Sequence, residues 1–87
     1  MADHKTLATW EVEGTRYVVT LQLENNQPNG LTIESVTGEK IRRATLPIEF
    51  GSSEWYAQVW SESKSAKHLT AAAERTLGVA ERFGYDG

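Results

Sequence analysis

The chain has 87 residues, no cysteine and a net charge of −3, from twelve acidic and nine basic side chains. This length fits one domain with a single modest core, so we expect one domain over 1–87 with flexible ends at 1–6 and 85–87. Without cysteine, neither a disulfide framework nor a thiolate metal site can form. No apolar run has the length of a membrane span or a signal peptide, so we expect a cytoplasmic protein without membrane contact.

The charges are spread over both halves of the chain, and neither half is basic. Strong binding to nucleic acid draws most of its affinity from clustered cations that neutralise phosphates. The charge balance therefore favours a protein partner over a nucleic acid.

Three glycines, Gly14, Gly38 and Gly51, each lie between runs in which apolar residues alternate with polar ones. A Gly-X loop suits a type II′ turn, which joins two antiparallel strands. The pattern predicts an α+β fold with a five-stranded antiparallel meander, whose strands lie at about 7–13, 16–24, 31–37, 40–50 and 53–60. The polar stretch 24–30 is expected to be the longest internal loop.

Each predicted loop fixes a register. The Gly14–Thr15 loop pairs Val12 with Tyr17 and Trp10 with Val19. The Gly38–Glu39 loop pairs Leu31 with Leu46, Ile33 with Ala44 and Glu34 with Arg43. The Gly51–Ser52 loop pairs Ile48 with Trp55, Leu46 with Ala57 and Ala44 with Val59. These registers place the apolar residues on one face. Pro47 removes a backbone donor from a strand with two neighbours, so we expect a bulge or fraying there.

A helix is predicted at about 62–83, packed on one face of the sheet. Its apolar residues, which we expect to be buried against the sheet, recur every three or four positions, at Ala66, Leu69, Ala73, Leu77, Ala80 and Phe83. Ser61, Ser63 or Ser65 can cap its start, and Gly84 can end it in the left-handed conformation. Gly78 is expected to allow a close approach to the sheet. An alternative prediction makes 54–60 the first turns of one long helix.

No pattern in the chain indicates catalysis. The two histidines, His4 and His68, have no nucleophile or orienting partner at a recognisable spacing, and no metal-ligand spacing or phosphate loop is present. We therefore expect no enzyme activity, no cofactor and no metal.

The open face of the predicted sheet carries the candidate binding site. One helix cannot cover both faces, and the register places aromatic, aliphatic and arginine side chains on the uncovered one. The predicted partner-binding residues are Val36, Ile41, Arg43, Tyr56 and Trp60. We expect the partner to be another protein or a second copy of this chain, in a twofold dimer through the open face or an edge strand. In size and charge the chain is comparable to small bacterial and phage accessory proteins, including inhibitors.

Two alternative functions compete with this prediction. Single-stranded nucleic acid could stack on the open sheet, using Lys40, Arg42, Arg43, Tyr56 and Trp60. In the order of its elements alone, an antiparallel sheet followed by a helix, the chain resembles the single-stranded-DNA-binding coactivator family. The other alternative is a ligand pocket between sheet and helix, near Trp10, Tyr17 and Trp55.

Overall fold

The computed structural model describes residues 2–47, 57–61 and 64–84. Its strands follow one another across a single antiparallel sheet in chain order: β1 (Ala2–Val12), β2 (Thr15–Glu24), β3 (Gln27–Thr37) and β4 (Lys40–Pro47). One long helix, α1 (Ala66–Phe83), follows the sheet. The α+β class, the antiparallel meander and the C-terminal helix are therefore confirmed.

The fifth strand predicted at 53–60 is wrong where the structure describes it, at 57–60, while 53–56 lie outside the described residues. Residues 57–59 are helical, and Trp60 follows them in a turn. The predicted pairings of Leu46 with Ala57 and of Ala44 with Val59 are therefore wrong, while the Gly51–Ser52 loop and the pairing of Ile48 with Trp55 lie outside the described residues. Aromatic and valine residues suit a buried helical turn as well as a strand, so composition alone could not separate the two.

The first strand begins earlier than predicted. Residues 2–6, expected to be a flexible end, belong to β1 and pair with β2. The other expected flexible end, 85–87, lies outside the described residues, as does residue 1.

The first hairpin turns one residue earlier than predicted. Its loop is Glu13–Gly14, both with positive φ, 51° and 81°, as a type I′ turn requires. Trp10 therefore lies opposite Tyr17 rather than Val19, and Val12 lies opposite Thr15 rather than Tyr17, so both predicted pairings are wrong. The observed pairing of β1 with β2 differs from the predicted pairing by two residues. Because side chains alternate with a period of two, each one still lies on its predicted face, and the apolar face is as predicted.

A bulge interrupts the pairing of β1 with β2 between Thr6 and Ala8. A bulge places two residues of one strand opposite one of the other and bends the strand. Here Leu7 and Ala8 both pack against the core, although they are neighbours in sequence.

The β2–β3 connection is a tight turn instead of the long loop predicted for 24–30. Asn25 and Asn26 form it alone, with φ of 54° and 64°. Asparagine adopts the left-handed conformation more readily than most residues, so the pair suits a type I′ turn. The remaining residues of the predicted loop, 27–30, belong to β3. The pairing of β2 with β3 is irregular there, with a register shift between Gln22 and Leu23.

The second hairpin is confirmed in register. Leu31 lies opposite Leu46, Ile33 opposite Ala44 and Glu34 opposite Arg43. Of the bulge or fraying expected at Pro47, the bulge is absent, since the β3–β4 register is unbroken over Lys40–Pro47 and Pro47 lies opposite Gly30. Pro47 is the last residue of β4, and fraying beyond it would lie outside the described residues. Because β4 is an edge strand among the described residues, the backbone nitrogen of Pro47 does not have to donate a hydrogen bond to a second neighbouring strand.

The helix begins at Ala66, later than the predicted position 62. Of the three candidate serines, Ser65 is the N-cap, and its hydroxyl accepts a hydrogen bond from the His68 N–H at 3.2 Å. Gly84 ends the helix at φ 80°, as predicted.

Leu69, Ala73, Leu77 and Ala80 are buried, whereas Ala66 and Phe83 are exposed, contrary to prediction. The close approach expected at Gly78 is also wrong, because a Cβ atom there would meet nothing within 4 Å.

The core lies between the sheet and the helical residues. It takes side chains from every described strand, from α1 and from Trp60, and consists of Ala8, Tyr17, Val19, Leu21, Leu31, Ile33, Ala44, Trp60, Leu69, Ala73, Leu77 and Ala80. Burying the larger of these side chains stabilises the fold by about 1.5–3 kcal/mol each before entropy is counted. Within the part of the chain that the structure describes, the opposite face of the sheet contributes no side chain to this core.

Candidate functional site

The open face of the sheet is formed by the alternate residues that point away from α1. The register aligns them in transverse rows, of which one contains Glu11, Arg16, Val36 and Ile41 and the next contains Thr9, Val18, Glu34 and Arg43. No described residue outside the sheet belongs to a core on this side.

An apolar corner lies where β3 and β4 approach their shared turn. Ile41 is 63% exposed, the most exposed aliphatic residue in the described sheet, and lies opposite Val36. Arg43, also exposed, follows on the same face, opposite Glu34. We call Val36, Ile41 and Arg43 the open-face corner. It places two aliphatic side chains beside a cation.

A row of four threonines crosses the sheet next to this corner, one from each strand: Thr6, Thr20, Thr32 and Thr45. The hydroxyls of Thr32 and Thr45 share a hydrogen bond of 3.2 Å, and the Gln22 amide donates to Thr32 at 3.3 Å. This part of the face forms a shallow polar concavity of about 270 Å³ that His4, Glu34 and Arg43 help to line.

Trp60 does not lie on the open face, so its predicted placement there is wrong. It is 5% exposed and belongs to the core on the helix side. The change from strand to helical turn at 57–59 removes the alternation that assigned it outward. Tyr56, the other predicted aromatic of the site, lies outside the described residues.

Arg42 also faces the helix, which excludes it from the predicted cationic group on the open face. Its Nη1 donates to both carboxylate oxygens of Glu74, at 2.8 and 2.9 Å, and its Nη2 donates to Glu81. The hydrogen bonds that Arg42 donates to Glu81 and Glu74 raise the pKa of its guanidinium above the usual value. Residues 42, 44 and 46 share one face of β4, so the predicted register already implied this orientation.

Tyr17 completes this helix–sheet contact. Its hydroxyl donates to Glu74 at 3.4 Å. Burial, and then the charge of Glu74, raise the pKa of the Tyr17 phenol above 10. Glu74 thus joins β2 and β4 to the helix, and sequence reasoning missed it because only the fold brings these residues together.

Trp10 and Tyr17, two of the three residues of the predicted ligand space, are held by contacts between the sheet and the helix. The rings of Trp10 and Tyr17 stack with centroids 5.1 Å apart, and the Trp10 Nε1 donates to Thr70 at 2.9 Å. A cavity of about 150 Å³ beside Trp10 reaches Lys64 and Leu69. Trp55, the third residue of that prediction, lies outside the described residues.

Among the described residues, no group of three or more histidine, aspartate or glutamate side chains is placed to hold a metal ion. The described helices include none that is both long and apolar enough to cross a membrane. Comparison of the chain with protein-family models, with curated proteins and with solved structures found no match.

Proposed function

We propose that the chain is a non-catalytic protein-binding module whose open-face corner contacts another protein. The observation that carries this proposal is the 63% exposure of Ile41 beside Val36, on a sheet face that no described residue covers. Burying an exposed aliphatic pair on association contributes favourable free energy in proportion to the apolar area removed from water.

The composition of the corner supports binding to a protein. Arginine is enriched at the centres of protein interfaces, where its stem packs and its guanidinium donates several hydrogen bonds. Arg43 is exposed and forms no ion pair within the described part of the chain. It is therefore available to an acceptor on a partner. The corner offers neither a nucleophile nor a general base, which supports binding rather than catalysis.

The nucleic-acid alternative has less support. Of its five predicted residues, only Lys40 and Arg43 remain as exposed cations among the described residues. Arg42 is bound to two glutamates and Trp60 is buried. Base stacking requires exposed rings, which the buried Trp60 cannot supply, and Tyr56 lies outside the described residues.

The test is capture of partners from a lysate of the source organism with tagged wild-type chain, Ile41→Asp and Val79→Asp. Val79 is a matched control, because it is 40% exposed but lies on the helix. We expect proteins retained by wild type and Val79→Asp to be lost with Ile41→Asp, since a carboxylate would be desolvated in the contact.

Equal retention by Ile41→Asp would contradict the proposal. A fluorescence anisotropy titration with a labelled single-stranded oligonucleotide forms the second arm. Salt-sensitive binding that weakens in Lys40→Ala would favour the nucleic-acid alternative instead.

A further inference from the structure

Among the described residues, the outer edge of β4 is regular and has no paired strand. Among the described residues the sheet ends at β4, and the β3–β4 register has no break over Lys40–Pro47. The other edge strand, β1, is interrupted by the bulge between Thr6 and Ala8. Bulges are a common protection against pairing with another chain, and β4 lacks one.

The turn determines which backbone groups of β4 face outward. Thr37 and Lys40 flank the two-residue loop and therefore bond to each other, and bonded positions alternate along an antiparallel pair. The backbone groups of Ile41, Arg43 and Thr45 thus point away from β3. Pro47 has the same outward orientation but offers only its carbonyl, which explains why a proline fits there.

We propose that a second copy of this chain pairs with β4 in an antiparallel, twofold-symmetric arrangement, with Ala44 opposite Ala44 of the second copy. The two sheets then form one continuous sheet. This proposal goes beyond the open-face corner, because the backbone hydrogen bonds of the strand edge make the pairing and the side chains only select its register.

Charge and hydrogen bonding select this register. Centring the twofold axis on Arg43 would set Arg43 against its own copy, and like charges directly opposite destabilise a pair. Centring it on Arg42 would oppose two guanidiniums and leave the Thr45 N–H without an acceptor within the strand. Centring it on Thr45 would leave the Ile41 N–H without one.

The Ala44 register satisfies every outward donor. The N–H groups of Ile41, Arg43 and Thr45 meet the carbonyls of Pro47, Thr45 and Arg43 of the second copy. On the open face, Ile41 lies beside Pro47 of the second copy, so the exposed aliphatic side chain gains an apolar neighbour. Alanine on the axis suits the short separation of a non-hydrogen-bonded pair.

The helix adds apolar area to the same contact. Glu81 binds Arg42, so the end of α1 lies at β4, and Phe83 follows two residues later with 67% exposure. The register sets Arg42 opposite Leu46 of the second copy, a half-buried leucine on the helix side. We expect the Phe83 ring to pack against that leucine.

Molecular mass by light scattering across micromolar to near-millimolar concentrations tests the dimer with Thr45→Pro and its matched control Thr45→Ala. Both substitutions remove the hydroxyl that bonds Thr32, but only proline removes the outward N–H, and neither removes a β3–β4 backbone bond. We expect wild type and Thr45→Ala to dimerise, and the dimer Kd of Thr45→Pro to rise about tenfold or more.

A wild-type chain that stays monomeric overturns the proposal. So does a Thr45→Pro chain that keeps the circular dichroism spectrum of wild type and dimerises equally well. If Thr45→Pro fails to fold, Phe83→Ser tests the dimer in its place. We expect Phe83→Ser to raise the dimer Kd, and an unchanged Kd would contradict the contact between Phe83 and the second copy.

Single cysteines then report the register, because the natural chain has none. Under oxidation, Ala44→Cys is expected to form a disulfide-linked dimer, since residues on the axis face their own copies. If Arg43→Cys or Thr45→Cys forms the disulfide-linked dimer and Ala44→Cys does not, the proposed register is wrong. A Thr45→Pro chain that is monomeric yet still captures partners through Ile41 separates this proposal from the open-face corner.

Discussion

Glu74 of the helix accepts two hydrogen bonds from one nitrogen of Arg42, at 2.8 and 2.9 Å, and thereby ties α1 to the edge strand β4. The same carboxylate accepts from the hydroxyl of Tyr17 on β2. Glu81 binds the other guanidinium nitrogen of Arg42. One glutamate therefore joins two strands to the helix, alongside the apolar core.

Replacing Arg42 should destabilise the fold by a moderate amount. Arg42→Met keeps the aliphatic stem but leaves Glu74 and Glu81 without their shared cation. These side chains are 29% to 43% exposed, so solvent screens part of the interaction, and we expect a loss of about 1–2 kcal/mol in the free energy of unfolding. Urea denaturation at neutral pH measures it.

Arg43→Met is the matched control, because Arg43 is exposed and forms no ion pair among the described residues. Its effect should stay within about 0.5 kcal/mol. Equal losses for the two variants would contradict a specific role for Arg42.

The Tyr17 phenol should titrate later than an unperturbed tyrosine. Burial, reinforced by the Glu74 charge, raises its pKa above 10. Ultraviolet absorbance during an alkaline titration, with Tyr17→Phe identifying the Tyr17 contribution among the three tyrosines, measures the shift. Glu74→Gln should lower this pKa; an unchanged value would assign the shift to burial alone.

The same shift makes stability fall at alkaline pH. The unfolded state loses the tyrosine proton near pH 10, whereas the folded state holds it to a higher pH, so the Tyr17 contribution is complete below pH 10. It is lost as the pH rises from 10 through the folded pKa. The free energy of unfolding of wild type should therefore decline over that interval more steeply than that of Tyr17→Phe.

Truncating Trp60 should cause a much larger loss than truncating its neighbour. Trp60 is 5% exposed in the core, so Trp60→Ala creates a large cavity and should cost about 3–5 kcal/mol. Val59, 38% exposed, provides the control, and Val59→Ala should cost less than about 1 kcal/mol. Thermal unfolding followed by circular dichroism compares them; similar midpoints would show that Trp60 is not a core residue.

Local signals in the sequence located some parts of the fold accurately. The Gly38–Glu39 turn gave the β3–β4 register because alternation and glycine agreed on it. Ser65 and Gly84 were among the expected helix caps, since capping depends on residues next to one another.

Long-range features were harder to predict. A displacement of two residues leaves every side chain on its face, so alternation could not separate the predicted first hairpin from the observed one. For 54–60, apolar content fits a strand or a helical turn, and this ambiguity placed Trp60 on the wrong side of the sheet. The contacts of Glu74 with Tyr17 and Arg42 join residues far apart in sequence, so no local sequence pattern predicts them.

The observed first turn leads to a stabilising substitution. Glu13 has φ 51°, a conformation that costs most L-residues about 1–2 kcal/mol and asparagine less. Glu13→Asn creates the Asn-Gly pair that type I′ turns prefer, so the free energy of unfolding should rise by about 0.5–1 kcal/mol. Glu39→Asn is the matched control, because Glu39 is also a glutamate in a two-residue loop but does not have a positive φ. In urea denaturation only Glu13→Asn should raise the free energy of unfolding. A rise in both variants, or a fall in Glu13→Asn, would contradict the observed turn. Either result would favour the Gly14–Thr15 loop, in which residue 13 belongs to the strand.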